Sequence, residues 1–570
     1  MLIVWRPLAL LYGSTVILFA WFWAGMPVVA IPAASIDDAR FVGNAARILS
    51  GDWLGTYNSL TLAKGAGYPI WLALLAGLGI PALLGQALLY VGAALLLVRA
   101  LSRWVAHEGV LFGLFLLFLI NPGIYNRETL RIMREGFYTP TLVLAFALLL
   151  WWVRLSSGPL RPRLILAAGL GLCLGFFHLT REESIWIAPF LLGWLALRGF
   201  ALFRETAAGR WRSEGMALLA CAGAAILPVL SVSALNARHY GFFGTVEFRD
   251  PAFISAYASL ARLGPDEPSL IVLPNAVLSS LFAASPAASE LRPFFDLRRG
   301  EAFINVGCLT YAVLPCDDEI RAAWFMWALR EAAAIAGHHT GAMTARRFYA
   351  RLSSEVDAAC DRGELRCQPK VNSLAPRFRT AYLMPTLRAA FGLLGVAAER
   401  IDSPRPAELR SIFYAPNEWQ IMHSAFLDFV HATVYVDPLG SNAAQVAMPE
   451  YLRISLGVQR ARYVLHAVSF LGQGWGWLGW LFLLVGLLSL VALLPLWVLR
   501  PGLVSGPVLA VCCGAWLLFF SRVVLLAYVH AVAIPSVNML YLSPAMPYAM
   551  LACGLGIFLL GRSIRVLTRA

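Results

Sequence analysis

The stretch WLGWLFLLVGLLSLVALLPLWV, residues 477–498, holds no charged side chain. Coiled as one helix, a run of that length matches the hydrocarbon thickness of a bilayer, so it reads as a membrane span. The rest of the chain agrees: of 570 residues, 59% are hydrophobic and only 14% charged, and mean hydropathy is +0.70. Lipid is therefore the main solvent. Similar runs near 8–30, 84–98, 110–120, 137–153, 164–177, 185–197, 216–235, 504–520 and 544–560 bring the expected spans to about ten, several of them short enough to need flanking residues. Residues 1–30 carry one early charge, Arg6, and no convincing small-residue cleavage site, so they read as the first span rather than a removable leader.

Charge then sets orientation. A formal net charge of +13 would suggest nucleic acid if it sat in one basic domain, but it is spread over short loops, and no nucleic-acid partner is expected. With the N-terminus placed in the cytoplasm, the cytoplasmic loops carry Arg99 and Arg103, then Arg154, Arg161 and Arg163, then Arg198, Arg204, Arg210 and Arg212, then Arg500, with Arg562, Arg565 and Arg569 in the tail. Every short cytoplasmic loop is arginine-rich, as the positive-inside rule requires. The expectation is a multi-pass protein of a bacterial inner membrane, with both termini cytoplasmic. The opposite face receives loops 31–83, 121–136, 178–184, the long segment 236–474 and a turn around 530–541, and these hold most of the acids. The apolar segment 68–78 is too short to span and reads as a helix lying at the membrane surface.

The predicted fold class is thus an all-α polytopic membrane protein in three parts: an N-terminal membrane module 1–235, a large, mainly helical extracytoplasmic domain 236–474, and C-terminal spans 475–570. In the long segment, helical stretches are expected at 322–335 and 343–360, and Trp324, Trp327, Phe348 and Tyr349 recur at helical spacing, which reads as core. Four cysteines fall there. Cys308 with Cys316 and Cys360 with Cys367 suit disulfides within each close pair, with cross-pairing as the alternative. Cys173, Cys221, Cys512, Cys513 and Cys553 lie in apolar spans and read as packing residues. No CxxC or His-rich spacing is present, so neither a metal nor another cofactor is expected. The acid run Cys316-Asp317-Asp318-Glu319 lacks the glycine-spaced ligands of a calcium loop and reads as solvated.

The charged residues that invite a chemical reading lie in the first three outer loops. The first contains Asp37-Asp38-Ala39-Arg40-Phe41, then Asn44-Ala45-Ala46-Arg47-Ile48-Leu49-Ser50-Gly51-Asp52-Trp53, then Lys64-Gly65-Ala66-Gly67-Tyr68-Pro69. Adjacent carboxylates directly after a span are costly near hydrocarbon unless solvated or used; the plain alternative is that Asp37 or Asp38 caps the helix that follows. Lysine is nearly absent from the chain, with only Lys64 and Lys370. In the second loop Arg127, Arg131 and Arg134 are spaced by four and three, so one helix would present them on one face to a phosphate, beside Glu128 and Glu135; the alternative is contact with lipid headgroups. The third loop reads His178-Leu179-Thr180-Arg181-Glu182-Glu183, with Arg181 as a phosphate ligand, the two glutamates as ligand neighbours or helix caps, and His178 as an interfacial residue. Arg522 sits near the same membrane edge, before the stretch Tyr541-Leu542-Ser543-Pro544.

The first-loop string resembles the first periplasmic loop of the GT-C membrane glycosyltransferases, especially the lipid A aminoarabinose transferases and protein O-mannosyltransferases. There an acidic pair is followed by an aromatic, an alanine-bearing helix, a Gly-Asp-Trp-like turn and a Lys-Pro-like element before an apolar surface helix. Tyr541-Leu542-Ser543-Pro544 looks like the family's Arg-Tyr-Leu-x-Pro element, with Met539 and Leu540 where its arginine would be expected. The Lys-Gly-Ala-Gly-Tyr-Pro form of residues 64–69 departs from Lys-Pro-Pro. The resemblance covers roughly residues 30–80 and is compatible in span order through about 235 and in the last spans; residues 236–474 match no motif of it.

What the resemblance implies is a GT-C-like bundle and a glycosyltransferase that moves a sugar from a polyprenyl-phosphate carrier to an extracytoplasmic acceptor, a glycan, lipid or protein. Asp37 and Asp38 then stand at the catalytic position, Asp37 as base or orienting acid. Lys64, Arg127, Arg131, Arg134, Arg181 and Tyr68 bind the donor and its phosphate, and Glu135, Glu182, His178 and Arg522 lie on the acceptor side or behind. The residue types agree, since such a transfer needs a carboxylate for the acceptor hydroxyl and cations for the departing phosphate. Asp37 and Lys64 are then expected to face each other across a shared cavity. A flippase for lipid-linked saccharides would instead need ionisable groups near mid-membrane, of which the spans hold few. A ligase using a diphosphate-linked glycan would use a similar arginine-rich face, and a scaffold binding envelope partners would not need the clustered acids and cations.

Overall fold

The computed structural model describes residues 2–32, 34–156, 158–204, 208–296, 299–411, 418–437, 456–500 and 502–568. α1 (Leu2–Trp23) leads through a short strand, β1 (Val28–Val29), to α2 (Asp38–Leu49) and α3 (Gly67–Gly77) at one end of a helix bundle. α4 (Ala82–Leu101), α5 (Glu108–Leu119), α6 (Glu135–Arg154), α7 (Leu160–Thr180), α8 (Ala188–Phe203) and α9 (Ala208–Tyr240) then run through the bundle. Outside it lie α10 (Pro251–Ala261), α11 (Ala322–Ile335) and α12 (Ala342–Asp361). The chain returns with α13 (Leu383–Ala398), strands β2 (Leu409–Ser411) and β3 (Val434–Val436), and the helices α14 (Leu456–Leu499), α15 (Gly506–Val532) and α16 (Met546–Leu567). Among the described residues nine helices are long and apolar enough to cross a membrane. The chain is an all-α polytopic membrane protein, and its strands amount to one small sheet in the order β1-β3-β2.

The arginine-bearing loops gather at the end of the bundle opposite α2 and α3. Arg154 donates to the Arg99 carbonyl at 2.9 Å, which ties the ends of α6 and α4. Arg163 and Arg198 both pair with the buried Glu214, which ties α7, α8 and α9. Along their length α7 and α9 approach closely because Gly171 has no side chain: a Cβ there would lie 2.1 Å from the Cys221 carbonyl oxygen. α5 is only 12 residues long, but with the turn after it the chain still traverses the bundle. His107 packs on Phe558 near one end of α16, and Gly123 meets Ser543 and Met546 near the other.

The long segment 236–474 divides in a way its composition does not announce. Residues from Val246 to Leu365 build a separate core around Phe253, Phe294, Phe325, Phe348 and Leu352. Both disulfides, Cys308–Cys316 and Cys360–Cys367, lie in this unit, each within a close pair. Ala389, Leu393, Ile401, Val464 and Val468 belong instead to the core of the bundle. α14 runs for 44 residues, about 66 Å at 1.5 Å per residue, twice the roughly 30 Å of a hydrocarbon core, so its first half stands clear of any membrane its second half crosses. α13 satisfies length and composition for a span, and its apolar residues Met384, Leu387 and Phe391 are exposed. Its contacts, however, keep it at the α2–α3 end: Gly392 meets Val537 and the Ala398 carbonyl abuts Gly479.

Candidate active site

α2 is amphipathic, with Phe41, Val42 and Ala45 buried against α3. Asp37 occupies its N-cap position, but the side chain makes no cap hydrogen bond; it is ion-paired with Lys64. The Lys64 ammonium also lies over the Phe41 ring, 5.1 Å from its centroid, and 5.7 Å from the Trp327 ring of α11. Burial is the largest single influence on Asp37 and would raise its pKa, but Lys64, Arg134 and Arg131 together hold the carboxyl below the usual range. Asp38 is fully buried and accepts from Arg131 Nη2 at 2.5 Å; there burial prevails and pushes the carboxyl up to about 6. Arg131 is delivered to Asp38 by the backbone, since it bridges Val29 of β1, and it also reaches Glu128 at 2.9 Å.

The loop that carries Lys64 is seated against the end of α7. A Cβ on Gly65 would fall 2.0 Å from the Leu179 carbonyl oxygen and one on Gly67 2.7 Å from Thr180 Oγ1, so Lys64-Gly65-Ala66-Gly67 is a close-approach element that a larger residue cannot copy. The Gly65 amide donates to Glu182 at 3.2 Å, and Glu182 takes Arg134 Nη1 at 2.7 Å. Deeper in, Arg181 pairs with Glu135, both side chains almost fully buried, and reaches Glu183 at 3.2 Å. Although burial is the largest influence on Glu183 and opposes ionisation, Arg181, Arg134 and Arg522 hold its carboxyl down at about 2. Arg181 stacks on Tyr541 at 5.3 Å. Arg522, on α15, donates from Nε to the Tyr541 carbonyl at 3.0 Å, while its Nη1 and Nη2 are buried with no hydrogen-bond partner.

Asp37, Asp38, Lys64, Arg131, Arg134, Glu135, Arg181, Glu182 and Arg522 therefore form one network. Other expectations are corrected. Arg127, Arg131 and Arg134 do not share a helix face, because Asn126 caps a short 3-10 turn over Arg127–Leu130 and Arg131 is extended. Arg127 turns away to Glu408 at 2.6 Å. Tyr68 is buried, its ring edge-on to Phe41 and its hydroxyl accepting from Gln86. His178 is held between Ser184 Oγ at 3.0 Å and Arg249 at 2.8 Å; because the guanidinium donates to Nε2, the ring proton sits on Nδ1. Asp37 and Lys64 face each other in contact rather than across a cavity, as opposite charges in a low-dielectric setting attract strongly. A small hollow of about 40 Å³ reaches the network at Glu135 and is lined also by Trp23, Gln86, Tyr90 and Ser543.

Two neighbours of the site, Trp327 and Arg330, come from the separate unit, and sequence spacing placed Trp327 in its core. No local signal marks either, because each meets the first loop across more than 260 positions of chain, Arg330 donating to the Ser59 and Thr61 carbonyls. Among the described residues the one grouping with metal-ligand spacing is Cys308, Cys316 and Asp317, whose sulfurs are joined in a disulfide.

Fold and site together define a polytopic membrane protein with a buried, charge-paired centre at one end of its helix bundle. No protein-family model matches the chain, and neither does any curated protein. Among solved structures, the chain is similar to the apo crystal structure of ArnT from Cupriavidus metallidurans, at 12% identity and a TM-score of 0.31, over 98% of this chain and 78% of that one.

Proposed function

We propose that the chain is a membrane glycosyltransferase of the GT-C type that moves a sugar from a polyprenyl-phosphate carrier to an extracytoplasmic acceptor, at the face of a bacterial inner membrane opposite the arginine loops. The observation that carries the reading is the Asp37–Lys64 pair: a carboxylate at a helix start that leaves its cap unmade to hold the site's lysine. In transfer, the acceptor oxygen bonds to the anomeric carbon as the bond to the carrier phosphate breaks, and the hydroxyl proton passes to Asp37. Charge grows on the leaving phosphate, where Lys64 stabilises it, with Arg131 and Arg181 nearby. Arg522 joins them, since its unpartnered Nη1 and Nη2 can donate to a phosphate without displacing a carboxylate. Attack from the face opposite the phosphate inverts the anomeric centre.

The pair also supplies a timing device. Lys64 contributes to holding the Asp37 carboxyl low, which makes a weak base. Once the ammonium turns to the carrier phosphate, that restraint is relieved and Asp37 becomes more basic as the hydroxyl arrives. Purified protein offered a panel of radiolabelled polyprenyl-phosphate sugars should transfer one of them. Asp37→Asn should reduce that transfer by about 10²–10⁴-fold without loss of fold, and full activity in that variant would remove Asp37 from the chemistry.

A further inference from the structure

Trp327 is only partly buried, unlike Phe325 and Leu329 beside it on α11. Its ring meets Phe248 edge-on at 4.9 Å, which fixes its tilt from the side of the separate unit. The Lys64 ammonium sits over the ring 5.7 Å from the centroid, so an aromatic face borders the same ground as the Asp37–Lys64 pair. The placement is held firmly. One turn further along α11, Arg330 donates to the Ser59 and Thr61 carbonyls at 2.6 and 2.8 Å, and Glu331 accepts from Ser59 Oγ at 2.7 Å. The helix that carries Trp327 therefore grips the loop that carries Lys64.

An indole combines a large apolar face with a negative ring quadrupole. A pyranose has hydroxyls around its rim and a patch of polarised C–H bonds on one face, and these suit an indole better than they suit a charged wall. We propose that Trp327 is the platform on which the pyranose ring of the donor stacks, with Lys64 at the ring's phosphate end, so that the unit outside the bundle determines which sugar is accepted. This rests on the glycosyltransferase reading and deepens it, because the reading alone assigns the sugar no protein surface.

The test measures binding of phytanyl phosphate without a sugar and of phytanyl phosphate esterified with glucose, mannose, galactose or 4-amino-arabinose, using the full-length protein in detergent. The wild type should prefer one sugar-bearing lipid. Trp327→Leu should lose about tenfold in affinity for it while keeping its affinity for the bare phosphate, and Trp327→Tyr should largely retain both. A Trp327→Leu protein that keeps the wild-type sugar preference overturns the platform, as does one that loses bare and sugar-bearing lipid equally, which would mean that Trp327 acts only through Lys64. If the wild type binds none of these lipids, the glycosyltransferase reading fails first and the platform goes with it.

Discussion

At Arg522 stability and function should pull in opposite directions. Its terminal nitrogens are buried without hydrogen-bond partners, and an unsatisfied buried charge is among the most costly groups a fold can hold. Arg522→Met should stabilise the protein by about 1–2 kcal/mol in thermal unfolding in detergent yet cost about 2 kcal/mol of carrier-phosphate affinity; a loss of stability with unchanged binding would show Arg522 to be structural. The acids give a second test, in which pH separates two neighbours. Asp38, raised from 3.8 to about 6, holds a proton in the folded state that the unfolded chain releases, so its contribution to stability is complete below pH 3.8 and is lost as pH rises through 6. Glu183, lowered from 4.5 to about 2, does the reverse: its contribution is present above pH 4.5 and is lost as pH falls toward 2. The summed contribution of these two groups should therefore be greatest at about pH 4; Asp38→Asn should flatten the alkaline side of the melting-temperature profile and Glu183→Gln the acid side.

The elements around the site hold it by close approach, and substitutions that alter no charge should disturb it. A side chain at Gly65 would meet backbone of α7, which cannot swing aside as a flexible side chain would. Gly65→Ala should cost about 1–3 kcal/mol of stability and lower transfer by moving Lys64, whereas alanine at Gly43, inside α2 where nothing lies within 4 Å, should leave transfer unchanged and add about 0.5–1 kcal/mol of stability. Arg330 is buried with Glu247 at 2.6 Å, so Arg330→Met removes that carboxylate's cation, with the Tyr57 hydroxyl still donating to it at 2.8 Å, and should destabilise by about 3 kcal/mol, read by chemical denaturation. These contacts also mark where sequence reading stops. The acid string and the third-loop charges were legible because each sits directly after an apolar run, and the lysine because it shortly precedes one. The arginine face was not: a spacing of four and three implies a shared face only if the helix continues, and here Asn126 caps a short turn while Arg131 extends to bridge Val29.

For the molecule as a whole, hydropathy located eight of the nine helices that are long and apolar enough to cross a membrane among the described residues, because a backbone in lipid must satisfy its own hydrogen bonds and so shows itself as an uninterrupted apolar run. It could not assign α13, whose residues are apolar enough to span although its Gly392 and Ala398 contact Val537 and Gly479. Nor could it assign the first half of α14, whose polar residues hide a helix continuous with the span. The difference matters for topology. If α13 crossed, everything after it would invert and the arginines at 500, 562 and 565 would lie on the side of Asp37, against the contacts that hold Tyr541 on Arg181 and Asp402 on Arg127. If it lies along the surface, all the arginine-rich loops share one compartment, as the positive-inside rule asks. Single cysteines settle this once Cys173, Cys221, Cys512, Cys513 and Cys553 are replaced and the two disulfides are kept. With a membrane-impermeant maleimide on intact spheroplasts, Asn372→Cys and Asp402→Cys, at exposed positions on either side of α13, should both label, and Gly502→Cys only after the membrane is opened. Protection of Asp402→Cys beside a labelled Asn372→Cys would make α13 a span and place the C-terminal arginines with the site.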